Sequence, residues 1–476
     1  MTKRSINPKT KQPWKVLWFG DLVNLSGFGR IGNEITRRLK DRGYDVQGAS
    51  ISYTGWPHNL NYWVWPLGGH DIWNGLVSIV NSYQPDILIS CQDFPYHQTI
   101  WNACRIDFSR IRWVWITPID GTPIHPDWVQ LADYADGKMV ISRFGQEALR
   151  QAGKRVELCH PGVDTTELYP ATAEERTSLR TKAGYAPDAF VVGAVCMNQG
   201  RKAIPPMVEA FHEFARDKPN AQLFLDMDKA GPAGWDLPNL LKQMGWTDEE
   251  QKRVKYREDV FKADMEAFAP LRNRYALMDA HMVIAHREGF GLPLLESMAC
   301  RVPTLALDWC SGTEIVGEGR GVLINRIAYM EHGTWGGARD AFPDVDALAR
   351  GLHALYATPA YAAGVAERGY QWAIQQTWDV ATDQTEAVIQ AALTRERKDR
   401  PSHEPIVTPN PAPGLSDTYG PGSQSASARP TADPVDRSSQ LQRPAAPDPL
   451  LEVAGSDAGG GGADGAGRAG GDPGPG

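Results

Sequence analysis

The chain has 476 residues, a formal net charge of -8, 42% hydrophobic residues and 22% charged residues. This composition is typical of a soluble globular protein, and the length exceeds one ordinary hydrophobic core, so we expect two domains with additions. The negative charge argues against a general nucleic-acid binder.

The six cysteines are scattered along the chain without a C-x-x-C pair. We therefore predict neither a disulfide framework nor a zinc site, as in a reducing cytoplasm. Residues 1–13 are basic and polar and lack the apolar stretch of a signal peptide. A run of about 20 apolar residues, the length that spans a bilayer, does not occur in the sequence. We expect a cytoplasmic protein without a transmembrane segment.

The first part of the chain alternates between apolar runs and a helical pattern. A helix is predicted over residues 31–42, where Ile31, Ile35 and Leu39 recur at helical spacing and Gly43 follows. Buried strands are predicted at residues 15–20, 45–51, 86–90, 113–116 and 138–141. Strands that alternate with helices predict a parallel sheet covered on both faces.

A second series of the same kind begins at residue 190. Its predicted strands cover residues 190–195, 222–225, 282–285 and 304–307, and its first helix covers residues 204–216. The pattern predicts an α/β protein with two Rossmann-like units. From residue 401 onward Pro, Gly, Ala, Ser and Asp dominate and little can be buried, so we predict a disordered tail over residues 399–476.

Two acids bracket a glycine turn in the second series. Glu288 and Glu296 stand eight positions apart around a Gly-Phe-Gly turn, with a strand before it and a helix start after it. The first turn of a helix exposes backbone N–H groups and a partial positive charge, which suit phosphate groups and sugar hydroxyls. Two carboxylates beside such amides can accept hydrogen bonds from several hydroxyls. The pattern indicates a ligand pocket, and a surface loop with incidental acids is the alternative.

The run from Glu288 to Glu296 resembles the E-x7-E signature of retaining, nucleotide-sugar-dependent glycosyltransferases of the GT-B fold, in particular glycosyltransferase family 4. Arg301 stands where this family usually has glycine. Three neighbouring segments also resemble the family, at residues 275–281, 297–303 and 311–316. The resemblance covers residues 15–395 and is best from 190 to 320.

This resemblance implies two Rossmann-like domains that face a central cleft. Residues 159–164 resemble the interdomain segment of the family, and residues 376–379 resemble its crossover. We predict an N-terminal acceptor domain over residues 1–165, a nucleotide-sugar domain over 166–375, a crossover helix that packs back on the first domain over 376–398, and the disordered tail over 399–476.

The resemblance also implies a role for each residue of the site. Arg201 and Lys202 match the cationic pair on the donor diphosphate, where they would stabilise the charge of the leaving group, and an exposed basic pair is the alternative. Glu296 would hold the ribose hydroxyls of the donor nucleotide. The sugar and phosphate would be held by Glu288 and by the backbone of Gly289, Phe290, Gly291 and Leu292.

Gly27 and Gly29 resemble the flexible first-domain loop that approaches the donor phosphate. Together with Gly32 they also form a G-x-G-x-x-G string, the fingerprint of an NAD-dependent dehydrogenase. Two features oppose this alternative, since the glycines begin seven residues after Gly20 at the strand end, and no acid follows the second strand.

The acceptor side is less well defined by the sequence. Asp120 follows the strand at 113–116 in a turn of Asp, Gly and Pro, so we predict that it orients an acceptor hydroxyl. Asp93 and His97 are alternatives for that role, and a structural Asx turn is the alternative for Asp120 itself. Ten of the sixteen tryptophans lie by position 128, and we expect core positions for all of these except Trp56.

The predicted activity is retaining transfer of a hexosyl unit from a nucleotide-diphosphate sugar to an acceptor hydroxyl. The acceptor class stays open among a glycan, a lipid, a protein, a small molecule and a modified nucleic-acid base. Asp226 and Asp228 form a D-x-D string, the manganese signature of the other glycosyltransferase fold, but here we predict a loop cap or a pocket-lining pair and neither metal nor cofactor. An inert sugar-nucleotide-binding module is a further hypothesis.

Overall fold

The computed structural model describes residues 5–24, 26–69, 71–231, 233–331 and 338–396 of the chain. Two parallel sheets with their helices form the framework. Within the described residues, every helix is too short or too polar to cross a membrane. The predicted disordered tail over residues 399–476 lies outside the described residues.

The first half of the molecule contains, in chain order, β1 (Lys15–Gly20), α1 (Gly27–Asp41), β2 (Asp45–Ser50), β3 (Trp63–Pro66), α2 (Ile72–Tyr83), β4 (Ile87–Cys91), α3 (Phe94–Asn102), β5 (Arg112–Thr117), α4 (Pro126–Leu131), β6 (Gly137–Val140), α5 (Arg143–Gln151) and β7 (Glu157–Leu158).

The second half contains α6 (Ala173–Lys182), β8 (Phe190–Val195), α7 (Ile204–Ala215), β9 (Ala221–Asp226), α8 (Leu237–Gln243), α9 (Asp248–Gln251), β10 (Val254–Tyr256), α10 (Arg257–Ala263), α11 (Met265–Phe268), α12 (Leu271–Tyr275), β11 (Ala280–Val283), α13 (Leu292–Ala299), β12 (Thr304–Leu307), α14 (Ser311–Val316), β13 (Val322–Ile324), β14 (Arg326–Glu331), β15 (Arg339–Pro343), α15 (Val345–Ala357) and α16 (Pro359–Ala373). The chain then returns to the first half as α17 (Trp378–Thr394).

The strand order places a reversal point in each parallel sheet. The first sheet has the order β3-β2-β1-β4-β5-β6-β7, and the second has the order β10-β9-β8-β11-β12-β13. The order reverses between β1 and β4 and between β8 and β11, and open α/β sheets bind ligands outside the carboxyl ends of the strands at such points. The segments that carry the predicted site follow β8 and β11.

Both faces of the first sheet are buried. Along β1, Val16 and Trp18 join one hydrophobic cluster, whereas Leu17 and Phe19 join another on the opposite face. A strand covered on both sides needs apolar residues at every position, which explains the uninterrupted apolar runs of the sequence. The predicted α/β class with two Rossmann-like units is confirmed.

Helix α1 begins at Gly27, four residues before the predicted start, so the expectation of a flexible loop at Gly27 and Gly29 is wrong. The Ser26 hydroxyl caps the helix by accepting a hydrogen bond from the Gly29 backbone N–H at 3.0 Å. A Cβ atom on Gly29 would lie 2.3 Å from the Asn24 backbone oxygen. The cap and this close approach outweigh the low helix propensity of glycine.

The chain crosses between the halves twice, after β7 and before α17, and the two crossings lie side by side. The Val163 N–H donates to the Gln376 carbonyl oxygen at 2.8 Å, and Val163 also bridges Thr377 in parallel. A Cβ atom on Gly162 would lie 2.2 Å from the Thr377 carbonyl carbon. Beyond this point α17 packs on α1, β5 and β6 of the first half.

Strands β14 and β15 form an antiparallel pair that is fastened to both halves. The Ala341 N–H donates to the His286 carbonyl oxygen at 3.0 Å, and the Arg339 N–H donates to the Thr122 carbonyl oxygen at 3.0 Å. This pair of strands was not predicted from the sequence.

The tryptophans follow the expectation of core positions with one clear exception. Trp56 is 43% exposed, as predicted, but Trp63 is 61% exposed. Trp63 lies on β3, the edge strand of the first sheet, where one side chain in two can face away from the core. The expected core position is therefore wrong for Trp63.

Candidate active site

The turn after β11 carries the two acids. Gly291 adopts a φ of +87°, a left-handed conformation that favours glycine, and α13 begins at the next residue, Leu292. Glu296 therefore lies about one turn into α13. The predicted succession of strand, glycine turn and helix is confirmed.

Glu288 forms ion pairs with side chains of its own half of the molecule. Lys202 Nζ forms an ion pair with Glu288 Oε2, and Arg201 Nη1 lies 3.8 Å from Oε1. The cations follow β8, which pairs in parallel with β11, so the carboxyl ends of the two strands bring them together. Burial raises the pKa of Glu288, but the charges of Lys202 and Arg201 outweigh burial, and the pKa lies below its ordinary value.

Glu296 is only 2% exposed and receives its cation from the opposite half. Its Oε1 forms an ion pair with the guanidinium of Arg30, in the first turn of α1. The Tyr275 hydroxyl donates a hydrogen bond to Oε2 at 2.8 Å. Burial raises the pKa of Tyr275 well above its ordinary value, so the hydroxyl keeps the proton that it donates.

Asp120 lies beside the residue that precedes Glu288. Asp120 Oδ2 is 3.9 Å from Arg287 Nη1, and Arg287 also donates through Nε to Asp340 on β15. Asp93, after β4, lines the same cavity as Asp120. Burial raises the pKa of Asp93 to about 7, and the charge of Asp120 adds to the shift. Two carboxyl groups therefore face the predicted acceptor side, and one of them takes up a proton near neutral pH.

Two rings complete the wall of this cavity. Phe94 and Trp128 stack with their centroids 5.4 Å apart, and both line it together with Asp93 and Asp120. The alternative acceptor residue, His97, is instead a core side chain, since it is fully buried, its Nδ1 pairs with the Ser90 hydroxyl at 2.9 Å, and burial lowers its pKa to about 3.

Contacts between the halves converge on the turn. A Cβ atom on Gly289 would lie 2.6 Å from Pro118 Cβ, and one on Gly27 would lie 3.9 Å from the Leu292 side chain. The Phe290 ring meets His160 edge to face, with their centroids 4.8 Å apart. The structure thus brings together Gly27, Asp120, Arg201, Lys202, Glu288, Gly289, Phe290, Gly291, Leu292 and Glu296. Gly29 instead packs on Asn24 of its own half.

Arginine side chains pair with both acids of the D-x-D string, Asp226 and Asp228. Arg257 Nε donates to Asp226 Oδ1 at 2.7 Å, and its Nη1 lies 3.3 Å from Asp228 Oδ1. Arg274 Nη1 lies 3.3 Å from the same Asp226 oxygen. These ion pairs explain the acids without a cation from solution, and the expectation that no metal is needed stays a prediction.

Three residues of the site were missed from the sequence, namely Arg30, Arg287 and Asp340. Arg287 directly precedes Glu288, which is its only sequence signal. Arg30 follows the Gly-Phe-Gly run at 27–29 and could have been noticed as a cation at a helix start, where an arginine is unfavourable without a nearby acid. Asp340 lies on the unpredicted strand pair and carried no signal.

A family model and curated relatives each match part of the chain. Residues 262–331 match the model described as glycosyl transferases group 1, and this segment contains Tyr275, Glu288 and Glu296. A D-inositol 3-phosphate glycosyltransferase of Geodermatophilus obscurus is 28% identical over 186 residues, which cover 37% of this chain and 37% of the relative. The chain thus spans well under half the length of this curated relative.

Solved structures resemble the chain over most of its length. Sucrose-phosphate synthase of Thermosynechococcus elongatus superposes with a TM-score of 0.61 and 17% identity, and covers 79% of this chain and 98% of that chain. HepE of Anabaena, solved in complex with UDP and glucose, has a TM-score of 0.59 and 16% identity, and covers 79% of this chain and 99% of that chain. The fold is that of GT-B glycosyltransferases, and the resemblance seen in the sequence is confirmed at this level. The assignment to family 4 stays a prediction.

Proposed function

We propose that the chain is a retaining glycosyltransferase that moves a hexosyl unit from a nucleotide-diphosphate sugar to an acceptor hydroxyl. One observation carries the proposal: the turn between Glu288 and Glu296 lies at the reversal point of the second sheet, and Arg201 and Lys202 pair with Glu288 there. This is where open α/β sheets bind nucleotides. These groups would line one crevice for the donor.

The donor would lie mainly on the nucleotide-sugar domain, residues 166–375. Arg201 and Lys202 now neutralise Glu288, and a bound diphosphate would take over part of their charge. Glu296 would accept hydrogen bonds from the ribose hydroxyls, and the N–H groups at the start of α13 would face phosphate or sugar oxygens. The UDP and glucose found in HepE support a donor of this class.

The transfer itself would need no side-chain base. The bond between the anomeric carbon and the diphosphate oxygen breaks, and the acceptor oxygen bonds to the same face of the anomeric carbon. The departing diphosphate oxygen takes the proton of the acceptor hydroxyl. The nucleoside diphosphate leaves as the bond between the acceptor oxygen and the anomeric carbon forms. Arg201 and Lys202 would stabilise the charge that develops on the leaving group.

The acceptor would approach from the first domain, residues 1–165. Asp120 lies next to Arg287 in the site turn, at the border between the halves, and would orient the acceptor hydroxyl. The halves also meet where Gly289 packs against Pro118, and this packing beside the proposed reacting position would exclude water and limit hydrolysis of the donor. The proposed reaction uses neither metal nor cofactor.

The dehydrogenase alternative has little support in the geometry. The three glycines of the fingerprint lie within α1, and β1 ends at Gly20, so the first glycine is absent from the strand end where a dinucleotide turn needs it. A nucleoside diphosphate fits the described crevice better than a dinucleotide at α1.

Calorimetric titration with UDP, GDP and ADP tests the donor site directly. Glu296→Ala should weaken binding of the preferred nucleotide by about 1–3 kcal/mol, since charge-assisted hydrogen bonds to the ribose are lost. Glu249→Ala is the matched control, because Glu249 is an exposed acid that pairs with Lys252 at the surface. Equal affinities for all three proteins would refute the ribose role. The protein is then incubated with the matching sugar nucleotide, and mass spectrometry detects sugar that is released or transferred. Either product indicates an enzyme, whereas neither product indicates an inert binding module.

A further inference from the structure

The Arg30–Glu296 ion pair joins the two halves at the proposed ribose position. Arg30 belongs to α1 of the first half, and Glu296 belongs to α13 of the second. The Glu296 side chain is 3% exposed and that of Arg30 is 31% exposed, so the acid is buried and the guanidinium is open to solvent on one side. The Tyr275 hydroxyl donates a hydrogen bond to the other carboxylate oxygen of Glu296.

This arrangement conflicts with a bound nucleotide. Ribose hydroxyls would need free lone pairs on the Glu296 oxygens, but Oε1 is paired with the guanidinium and one lone pair of Oε2 accepts from Tyr275. A guanidinium on the acid also fills the space directly in front of it. Glu288 presents no such conflict, because its cations are the groups that would move to the diphosphate.

Arg30 can leave Glu296 in two ways, by a rotation of its own side chain or by a movement of helix α1. Helix α1 is fastened to the return helix α17, since Arg38 Nε lies 3.1 Å from Asp379 and Arg42 Nη1 lies 2.7 Å from Glu386. The backbone of Arg30 therefore moves with the first half as one body. Opening of the halves would withdraw the guanidinium from the second half and expose the carboxylate.

We propose that Arg30 is a latch that closes the ligand-free crevice on Glu296 and is displaced when the donor nucleotide binds. The inference rests on the proposed function of Glu296 and adds a regulatory element to the same site. The donor would bind only the fraction of molecules in which the latch is released, and its apparent affinity would be lowered by that fraction.

Nucleotide affinity of three arginine variants tests the latch. Arg30→Met should bind the preferred one of UDP, GDP and ADP about tenfold more tightly than the wild type, as expected when about one molecule in ten is open. Arg30→Lys keeps the charge on a shorter, more hydrated group and should fall between the two. Arg37→Met is the matched control, because Arg37 lies on the same helix but pairs with Glu34 of that helix.

The direction of the change decides the question. Tighter binding by Arg30→Met but not by Arg37→Met supports the latch. Unchanged affinity would overturn it, and weaker binding would overturn it as well, since Arg30 would then be a donor-binding residue.

A second measurement keeps the latch testable if none of the three nucleotides binds the wild type, an outcome that would count against the proposed function alone. Hydrogen–deuterium exchange of the ligand-free proteins reports on the closed crevice directly. Amides of residues 294–296, in the first turn of α13, should exchange faster in Arg30→Met than in the wild type and Arg37→Met. Equal exchange in all three would overturn the latch.

Discussion

The two acids of the crevice stand eight positions apart, yet they are neutralised in different ways. Glu288 is paired with Lys202 and Arg201, which reach it from the neighbouring strand of the same sheet. Glu296 is paired with Arg30, which comes from the other half. The first pairing forms whenever the second half folds, whereas the second requires the halves to meet. Neighbouring positions of one motif can thus report on domain folding and on domain closure.

The largest expected effect comes from removing the cation within the second half. The Lys202 and Glu288 side chains are 7% and 13% exposed, and loss of one partner leaves a buried charge. Lys202→Met should lower the free energy of unfolding by about 3 kcal/mol. Arg30→Met should lower it by only about 1 kcal/mol, because the halves can open and hydrate Glu296.

Denaturant unfolding checks this difference, with Lys252→Met as the control for a lysine in an exposed ion pair. The control should unfold like the wild type. Equal losses for Lys202→Met and Arg30→Met would break the distinction between the two acids.

Acid unfolding should sharpen the comparison with a smaller effect. Lys202 and Arg201 hold the pKa of Glu288 below its ordinary value of 4.5 despite burial, so its ionised form stabilises the fold above that pH. This stabilisation disappears as the pH falls through the lowered pKa. Glu288→Gln should be less stable than the wild type by about 2 kcal/mol at pH 7, and the two should converge as the pH falls through the lowered pKa of Glu288.

Thermal melting between pH 3 and pH 8 measures the convergence. A gap between wild type and Glu288→Gln that is the same at every pH would mean that the charge of Glu288 does not contribute to folding.

The smallest expected effect concerns the end of the helix that carries Glu296. Arg301, at the position where the related family usually has glycine, adopts a φ of +58°. It also lies 2.9 Å from Glu367 and stacks on Tyr370 at 4.2 Å. Arg301→Gly and Arg301→Ala both lose these contacts, but only glycine relieves the left-handed backbone.

The glycine variant should therefore be more stable than the alanine variant by about 1 kcal/mol, as measured by denaturant unfolding. Both should bind nucleotide like the wild type, because neither carboxylate pair is touched. Lower affinity in both variants would show that the helix end also positions Glu296.

The sheets could be predicted from the sequence because strands buried on both faces are apolar at every position, as in β1 and β8. The start of α1 could not, since Gly27 and Gly29 disfavour helices and only the Ser26 cap with the Asn24 contact offsets this preference. Strands β14 and β15 are separated by seven residues, too many for the two-residue hairpin loop that gives a local signal. Trp63 is exposed because of its edge position, which depends on strand order.

The candidate site also has a part that could be predicted from the sequence and a part that could not. The acids and the glycine turn are a local pattern, so their neighbourhood follows from one strand, one turn and one helix. The proximity of Arg201 and Lys202 to Glu288 follows from parallel pairing of two strands, which a fold resemblance implies. Arg30 is 266 residues away from Glu296, and its contact depends on how the halves approach, which no local pattern records.

The close packing of Gly162 against Thr377 leaves no room for a side chain between the two crossings that join the halves. The two crossings lie side by side here, so a movement of one crossing along the other would have to break the hydrogen bond from the Val163 N–H to the Gln376 carbonyl oxygen. A single methyl group at position 162 would wedge the crossings apart. Such a change would alter how far the two halves open without replacing any residue of the candidate site.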